Sequence, residues 1–307
     1  MRRIVLPVTA MAVLPLVLAA CGSTSTTSTK TANNASSQTS ASRLSPQAAV
    51  DAAYHSAGAS PTSFHVDETV GIAVDGKNYG GSTISGNVYS DPSSPSSAYA
   101  SLTESVLAAD NKSEGNLLML LKNGSLYVNA GGIHASGLSV TSGWKVMPLQ
   151  TYVNNIGGTS SSTITPTAIR SNQSSLLTAI ISSAKITSSG SSTVGGQAVN
   201  VYTATAPYAK LIPAMVKAKG VLSSSLGAAL SAYHVTGDAK LTIETTKSTN
   251  QIANIDGVFS ATFAPVQGSS TKYHFVISVQ QQYTNYGVKF TVTPPASAKA
   301  ITSFKGL

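Results

Sequence analysis

The chain has 307 residues, which is enough for one large domain or two ordinary ones. Charged residues make up only 10% of it and apolar residues 42%, so Ser, Thr, Ala and Gly fill much of the remainder. This composition excludes a coiled coil, which needs charged flanking positions, and it excludes a wholly disordered chain. A single cysteine excludes an internal disulfide and a cysteine-cluster metal site.

The basic charge is weaker than it first appears. The formal net charge is +8, but it falls to +4 over residues 45–307 once Arg2, Arg3, Lys30 and Arg43 are left out. The remaining charges are scattered singly along the chain. They do not form the basic stripe of a nucleic-acid binder, so no nucleic-acid partner is expected.

The N-terminus has the pattern of a secretory signal. A basic segment, Met1–Arg3, precedes an uncharged apolar run, Ile4–Ala20, which ends in small residues directly before Cys21. The run has 17 residues, fewer than the ~20 usual for a membrane-spanning helix, and Pro7 and Pro15 interrupt it. Residues 1–20 are therefore predicted to be a cleaved signal peptide.

Leu18-Ala19-Ala20-Cys21 resembles the lipobox of bacterial lipoproteins. The resemblance implies that Cys21 becomes the first residue and carries a diacylglyceryl thioether and an N-acyl chain such as palmitate, which together hold a protein stably on a membrane. The alternative is that Cys21 is an ordinary residue of a standard signal peptide. Residues 22–44 lack periodicity, which predicts a flexible tether that spans roughly 25–30 Å on average. The predicted organisation is signal 1–20, lipidated cysteine and tether 21–44, and one domain over 45–307.

The folded part begins with a helix and a hairpin. Ser45-Pro46 is a typical helix start, and the alanine-rich segment 47–57 continues to Gly58. From Ser63 the apolar period changes to two, which predicts a strand, a turn over Asp75–Asn78 and a returning strand over 79–90. Glu68 falls on the apolar side of this alternation. It is a functional carboxylate, a residue at the rim of the sheet, or a sign that the register is misread.

The middle of the chain predicts a mixture of strands and helices. The predicted elements are strands over 97–106, 116–121 and 125–129 with a tight turn at Asn123-Gly124, helices over 148–156 and 172–184, and two strands around Gly195-Gly196.

A predicted helical hairpin follows. Its first helix contains the stripe Tyr208, Leu211, Ile212, Met215 and Val216 with Pro213 inside it, and its second contains Leu222, Leu226, Leu230 and Tyr233.

The last third predicts an antiparallel meander. Its strands are 241–245, 251–263 with a possible bulge at Asp256-Gly257, 273–283 and 288–292. The element order predicts the α+β class, with a strongly curved antiparallel sheet, a half-barrel, around a few helices.

No catalytic or metal-binding motif is recognisable. The five histidines are widely separated, and His65 and His274 are expected on the solvent side of their strands. We therefore expect no catalytic residue, no metal and no cofactor. A hydrolase with an unrecognised Ser–His–Asp site stays open because the chain has many serines. Trp144, the only tryptophan, either gates a ligand cavity or is a core aromatic residue.

Several local patterns occur in an order that resembles a known family. They are the segments Ser63–Asp67, Leu121–Val128, Gly143–Lys145, Leu176-Leu177, Val194–Val199 and Tyr283–Pro295. With the lipobox, they resemble the LppX/LprA/LprF/LprG lipoproteins of actinobacterial envelopes and, more distantly, the LolA/LolB carriers. The Ser/Thr loops at 91–97 and 157–167 depart from that pattern.

The resemblance implies a half-barrel sheet with an apolar cavity that binds acyl chains of glycolipids or phospholipids. It implies a non-enzymatic protein on the extracytoplasmic face of the cell membrane, anchored through Cys21, which carries or presents lipids with an envelope transporter as a partner. The helical patterns favour a set of cavity-wall residues, with Trp144 beside them. That set is Leu176, Ile180, Leu211, Met215 and Leu226.

The alternative reading is a tethered protein-interaction or sensor module without a ligand cavity. A large exposed apolar patch would favour that alternative.

Overall fold

The computed structural model describes residues 44–59, 61–91, 99–110, 112–131, 143–149, 151, 181–217, 233–266, 270–286 and 289–302. Two helices and twelve strands lie within these residues. Their bounds are α1 Pro46–Ala59, β1 Thr62–Val74, β2 Lys77–Ser90, β3 Tyr99–Leu107, β4 Ser113–Lys122, β5 Ser125–Asn129, β6 Lys145–Pro148, β7 Lys185–Val194, β8 Gln197–Pro207, α2 Tyr208–Lys217, β9 Tyr233–Thr246, β10 Ile252–Pro265, β11 Tyr273–Tyr286 and β12 Lys299–Ala300.

All twelve strands form one sheet in the order β12-β6-β5-β4-β3-β2-β1-β11-β10-β9-β8-β7. Every neighbouring pair is antiparallel except β12 and β6, which are parallel. The strands from β1 to β6 form one meander and those from β7 to β11 form another. Antiparallel pairing of β1 with β11 joins the two. The predicted α+β class, with a large antiparallel sheet and few helices, is confirmed.

The predicted helix start and the predicted turns are confirmed. The Ser45 hydroxyl accepts a hydrogen bond from the Ala48 amide, as an N-cap residue does. The β1–β2 turn has positive φ at Asp75 and Gly76, and the β4–β5 turn has positive φ at Asn123. These residue types tolerate the left-handed conformation that such turns require.

The two faces of the sheet differ as the alternation predicts. Even-numbered residues of β1 are buried or nearly so, whereas Asp67 and Thr69 are exposed. We call the side of Phe64, Val66 and their cross-strand partners the inner face. One hydrophobic cluster joins α1 to inner-face residues from both halves of the sheet, and α1 packs against β7, β9 and β10. The sheet therefore encloses α1 on its inner face.

Four predictions on local structure are wrong in whole or in part. Pro148 ends β6, so only the start of the predicted helix 148–156 is wrong, because the described residues Leu149 and Thr151 that follow are helical. Tyr233 begins β9 instead of ending a helix. The prediction failed because a single apolar residue at that spacing fits a helix and a strand equally well. No bulge lies at Asp256-Gly257, because the register with β9 is continuous through these two residues. That register shifts instead between Ile252 and Asn254.

The fourth concerns the segment 288–292. Its described part is not a strand, and Val292 is buried without a ladder partner while its carbonyl accepts a hydrogen bond from Lys122 Nζ at 2.6 Å. The C-terminal pairing is made instead by β12.

The predicted helix over Tyr208–Val216 is confirmed, with Pro213 in its interior and exposed to solvent. Only residues 181–184 of the predicted helix 172–184 are described, and 181–183 are helical. The predicted signal peptide, Cys21 and the predicted helix with Leu222, Leu226 and Leu230 lie outside the described residues, as does almost all of the predicted helix 148–156.

Candidate functional site: the inner face of the sheet

One end of the inner face is filled by α1, and we call it the helix-covered end. Phe64 stacks on Tyr283 with ring centroids 5.2 Å apart, and Tyr283 stacks on Tyr286 at 6.2 Å. The Tyr286 hydroxyl donates to the carbonyl of Ile252 at 2.7 Å. The Asn250 side chain donates to the carbonyl of Ala49, which ties α1 to the turn between β9 and β10. This end is a closely packed core.

The opposite end of the inner face carries four aromatic rings, which we call the aromatic end: Tyr233, Phe263, Tyr273 and Phe275. They occupy inner-face positions on three neighbouring strands, and the register places Phe263 opposite Tyr273. The rings meet edge to face, with centroid distances of 6.1 Å between Tyr233 and Phe263 and 5.3 Å between Phe263 and Phe275. All four are only half-buried, in contrast to Phe64 and Tyr283.

α2 lies between strand β8 and the aromatic end. Leu211 is 1% exposed and packs with Ala206 of β8 and Ala239 of β9, both inner-face residues. Phe259 and Tyr208 border this small cluster, and burial raises the pKa of Tyr208 to about 12. Leu211 is thus one predicted wall residue that the structure places on the inner face.

Of the other residues predicted at the cavity wall, only Trp144 has a described side chain, and it lies away from Leu211. Trp144 is half-buried beside β6, toward the far edge of the sheet, where its carbonyl accepts a bond from the Lys299 amide. Met215 belongs to α2, but its side chain is outside the described part. Leu176, Ile180 and Leu226 also lie outside the described residues. Their role as cavity walls stays a prediction.

Between the two ends, the inner face contains two buried carboxyl groups. Glu68 of β1 and Glu104 of β3 flank Ile84 of β2 in the register, and they are 2% and 4% exposed. Burial raises the pKa of Glu68 to about 8, and the charge of Glu104 adds to the rise. Burial also raises the pKa of Glu104. The Ser82 hydroxyl lies beside Glu104 and offsets part of that rise, although it makes no hydrogen bond of ordinary geometry.

The alternatives for Glu68 are now decided. The register of β1 with both neighbours is continuous through Glu68, and the residue is buried, so it is neither a rim residue nor a misread position. Glu104 was not predicted, although the same signal is present: Ala100, Leu102 and Val106 form an apolar alternation around it.

The outer face carries a His–Ser–Asn grouping that bears on the hydrolase alternative. His65 Nε2 lies 3.3 Å from Ser85 Oγ, and Nδ1 lies 3.0 Å from Asn87 Oδ1. The Asp67 carboxylate is 3.4 Å from the same Nε2 and competes with Ser85 for it. Both strands are paired on both sides, so their backbone amides are not free to stabilise an oxyanion. This grouping therefore lacks the setting of a serine hydrolase.

Two further features belong to the described part of the chain. It contains no grouping of three or more His, Cys, Asp or Glu residues that could hold a metal ion. Neither α1 nor α2 has the length and apolar character needed to cross a membrane.

No protein-family model and no curated protein matches the sequence. Solved structures do match. LprF from Mycobacterium bovis is 13% identical, covers 82% of this chain and 97% of its own, and has a TM-score of 0.46. The lipoprotein LppX from Mycobacterium tuberculosis is 11% identical, covers 81% and 98%, and has a TM-score of 0.36. A DUF1329 family protein from Desulfovibrio piger is 12% identical, with a TM-score of 0.23.

LprF and LppX are two of the proteins named in the resemblance described above. At this level of similarity they say nothing about the ligand of this chain.

Proposed function

We propose that the protein is a membrane-anchored lipoprotein of the cell envelope that binds lipid acyl chains on the inner face of its sheet and carries or presents them. The observation that carries this proposal is the contrast along the inner face. The helix-covered end is packed, whereas the aromatic end offers half-buried rings on neighbouring strands. Large apolar surfaces of this kind serve as binding sites.

Binding by burial needs no catalytic group. Each methylene that leaves water contributes about 0.8 kcal/mol, so a long acyl chain supplies roughly 10 kcal/mol before the cost of ordering it. The aromatic rings in edge-to-face contact form an apolar wall against which such a chain can lie.

The proposed location rests on sequence patterns. The lipobox-like tetrapeptide ending at Cys21 supports acylation and anchoring on the extracytoplasmic face, and residues 22–44 would let the domain work away from the bilayer. An envelope transporter as a partner is part of the same proposal.

The alternative of a protein-interaction module predicts a large exposed apolar patch. The large apolar side chains exposed in the described part are spread over β2, β4, β10 and the segments next to α1 and β10, which gives no support to a single patch. They are Leu44, Tyr79, Leu118, Val258 and Val266.

The experiment that tests the proposal is lipid extraction. Residues 22–307 are secreted from an envelope-bearing host behind a general signal, so that no covalent acyl group is attached, and the solvent extract is analysed by mass spectrometry. A lipid present in stoichiometric amount is expected. An empty extract, also after incubation with envelope lipids, would reject acyl-chain binding.

A matched pair of variants tests whether the extracted lipid was bound at the inner face. Phe263→Ser removes a ring of the aromatic end, whereas Val258→Ser changes a residue of the same strand that is 46% exposed on the outer face. Phe263→Ser is expected to lower lipid occupancy several-fold, and Val258→Ser to leave it unchanged. Equal occupancy in both variants would place the lipid elsewhere.

A further inference from the structure

The two buried carboxyl groups of the inner face are unusual in an apolar sheet. Glu68 lies opposite Ile84 on one side and Val279 on the other, and the next inner-face residues along its strand are Val66 and Val70. Buried carboxyl groups normally have hydrogen-bond partners or a counter-charge. Neither carboxylate oxygen of Glu68 has a hydrogen-bond partner among the described residues.

No counter-charge among the described residues offsets this burial. The charged group that acts on Glu68 is Glu104, which opposes its ionisation, and the group that acts on Glu104 is the uncharged Ser82 hydroxyl beside it. Lys122 donates to the Val292 carbonyl, and Asp67 and His65 lie on the outer face. The site therefore offers hydrogen-bond acceptors and becomes negatively charged when its carboxyl groups ionise, and its described residues supply no cation to match that charge.

The chemistry of the site selects among amphiphilic ligands. A carboxylate or phosphate group would meet like charge and would be repelled. A hydroxyl group could bond to one carboxyl oxygen but would leave the charge uncompensated. A primary ammonium group has three N–H donors and a positive charge, which together match two carboxylates.

We propose that Glu68 and Glu104 form a headgroup site that takes the primary ammonium group of a long-chain amphiphile, with its alkyl chain along the apolar inner face. This inference rests on the proposed function, because it names the chemical class of ligand for the same face. Glu68 is three inner-face positions from Val74, whose cross-strand partner is Tyr273. At about 3.4 Å per residue, the aromatic end lies roughly 20 Å from the carboxyl pair along the strand. The chain of the ligand would run in that direction.

The test compares three ligands with the same alkyl chain: dodecylamine, dodecan-1-ol and dodecanoate. Their binding to residues 22–307, which include every described residue, is measured by calorimetry at pH 7. The amine is expected to bind at least tenfold more tightly than the alcohol, and the acid most weakly. If none of the three binds, the proposed function itself fails. If all bind equally, or the acid binds most tightly, acyl-chain binding stands and the ammonium site is rejected.

Variants test whether the preference for the amine over the alcohol depends on Glu68 and Glu104. Glu68→Gln and Glu104→Gln are each expected to reduce the ratio of amine to alcohol affinity to near one. Asp67→Asn is the matched control, because Asp67 adjoins Glu68 in sequence but its side chain is 52% exposed on the outer face. An unchanged ratio in both glutamine variants would overturn the site.

The pH dependence of the unmutated chain gives a second measurement that does not depend on a variant folding. A long-chain amine stays protonated well above neutral pH, as lysine does. Binding of the ammonium requires an ionised Glu68, so amine affinity should rise several-fold between pH 6 and pH 8, whereas alcohol affinity should not. Amine affinity that is flat or falls over this range would contradict the proposal.

Discussion

The helix-covered end and the aromatic end of the inner face are made from the same strands and the same alternation, yet they end in different packing. At the helix-covered end, Phe64 and Tyr283 are buried in one cluster with α1, and a hydrogen bond from the Asn250 side chain fixes the helix to the turn between β9 and β10. At the aromatic end, Phe263 and Tyr273 both contact the ring of Tyr233 but stay half-buried. Identical strand patterns can therefore supply both a stable core and an apolar surface for a ligand, depending on what covers them.

The largest expected effect is at the helix-covered end. Phe64→Ala removes a fully buried ring that stacks on Tyr283, and such truncations cost about 3–5 kcal/mol. Urea unfolding followed by circular dichroism should show this loss of stability. A loss below about 1 kcal/mol would mean that this end is not the core of the domain.

The second effect comes from the carboxyl group between the two ends. Because the pKa of Glu68 is raised to about 8 in the folded chain, the folded state holds a proton that the unfolded chain releases above pH 4.5. Stability should therefore fall as the pH rises from 5 to 8, by roughly 3 kcal/mol.

Glu68→Gln should remove most of this slope, since its amide does not titrate. Asp67→Asn is the control expected to keep the slope. Unfolding curves at several pH values measure it, and a slope unchanged by Glu68→Gln would assign the effect to other groups.

The third effect concerns the link between α1 and the sheet. Asn250 has a φ of 52° and donates to the Ala49 carbonyl at 2.9 Å. Its Oδ1 also accepts a hydrogen bond from the Thr245 hydroxyl at 3.0 Å. Asn250→Ala loses both bonds and strains the left-handed backbone, for a total of about 2 to 3 kcal/mol. Asn250→Gly loses the two bonds without that strain, so it should cost about 1 to 2 kcal/mol. Thermal unfolding of the two variants checks the order, which would be reversed or absent if the backbone strain were unimportant.

The smallest expected effect on stability is at the aromatic end. Phe263→Ala should cost about 1 kcal/mol or less, because a half-buried ring already contacts solvent and has less to lose. The same unfolding assay used for Phe64→Ala measures it. A loss as large as that of Phe64→Ala would erase the contrast between the two ends.

Local patterns predicted much of this molecule. The alternation around Phe64 and the turn residues Asp75-Gly76 and Asn123-Gly124 identified strands and hairpins, since these signals depend on near neighbours. Four-residue β6 was missed because it is too short to show a period. Tyr233 was assigned to a helix because one apolar residue cannot distinguish the two periods.

The functional face was only partly predictable. Leu211 was identified by its helical stripe and lies on the inner face, and Glu68 was seen on the apolar side of its strand. The aromatic end is formed by long-range register among β9, β10 and β11, which places Tyr233, Phe263 and Tyr273 together. No local pattern in the sequence carries that information.

The pairing of β1 with β11 has a consequence for how the chain is made. Val70 pairs with Ile277, so about 200 further residues must be synthesised before β1 can pair with β11. At typical rates this takes about 10 to 40 s. During that time one edge of β1 has no partner strand, and exposed edges of this kind are prone to aggregation. A nascent chain of this protein therefore needs protection of this edge of β1 until β11 has been synthesised.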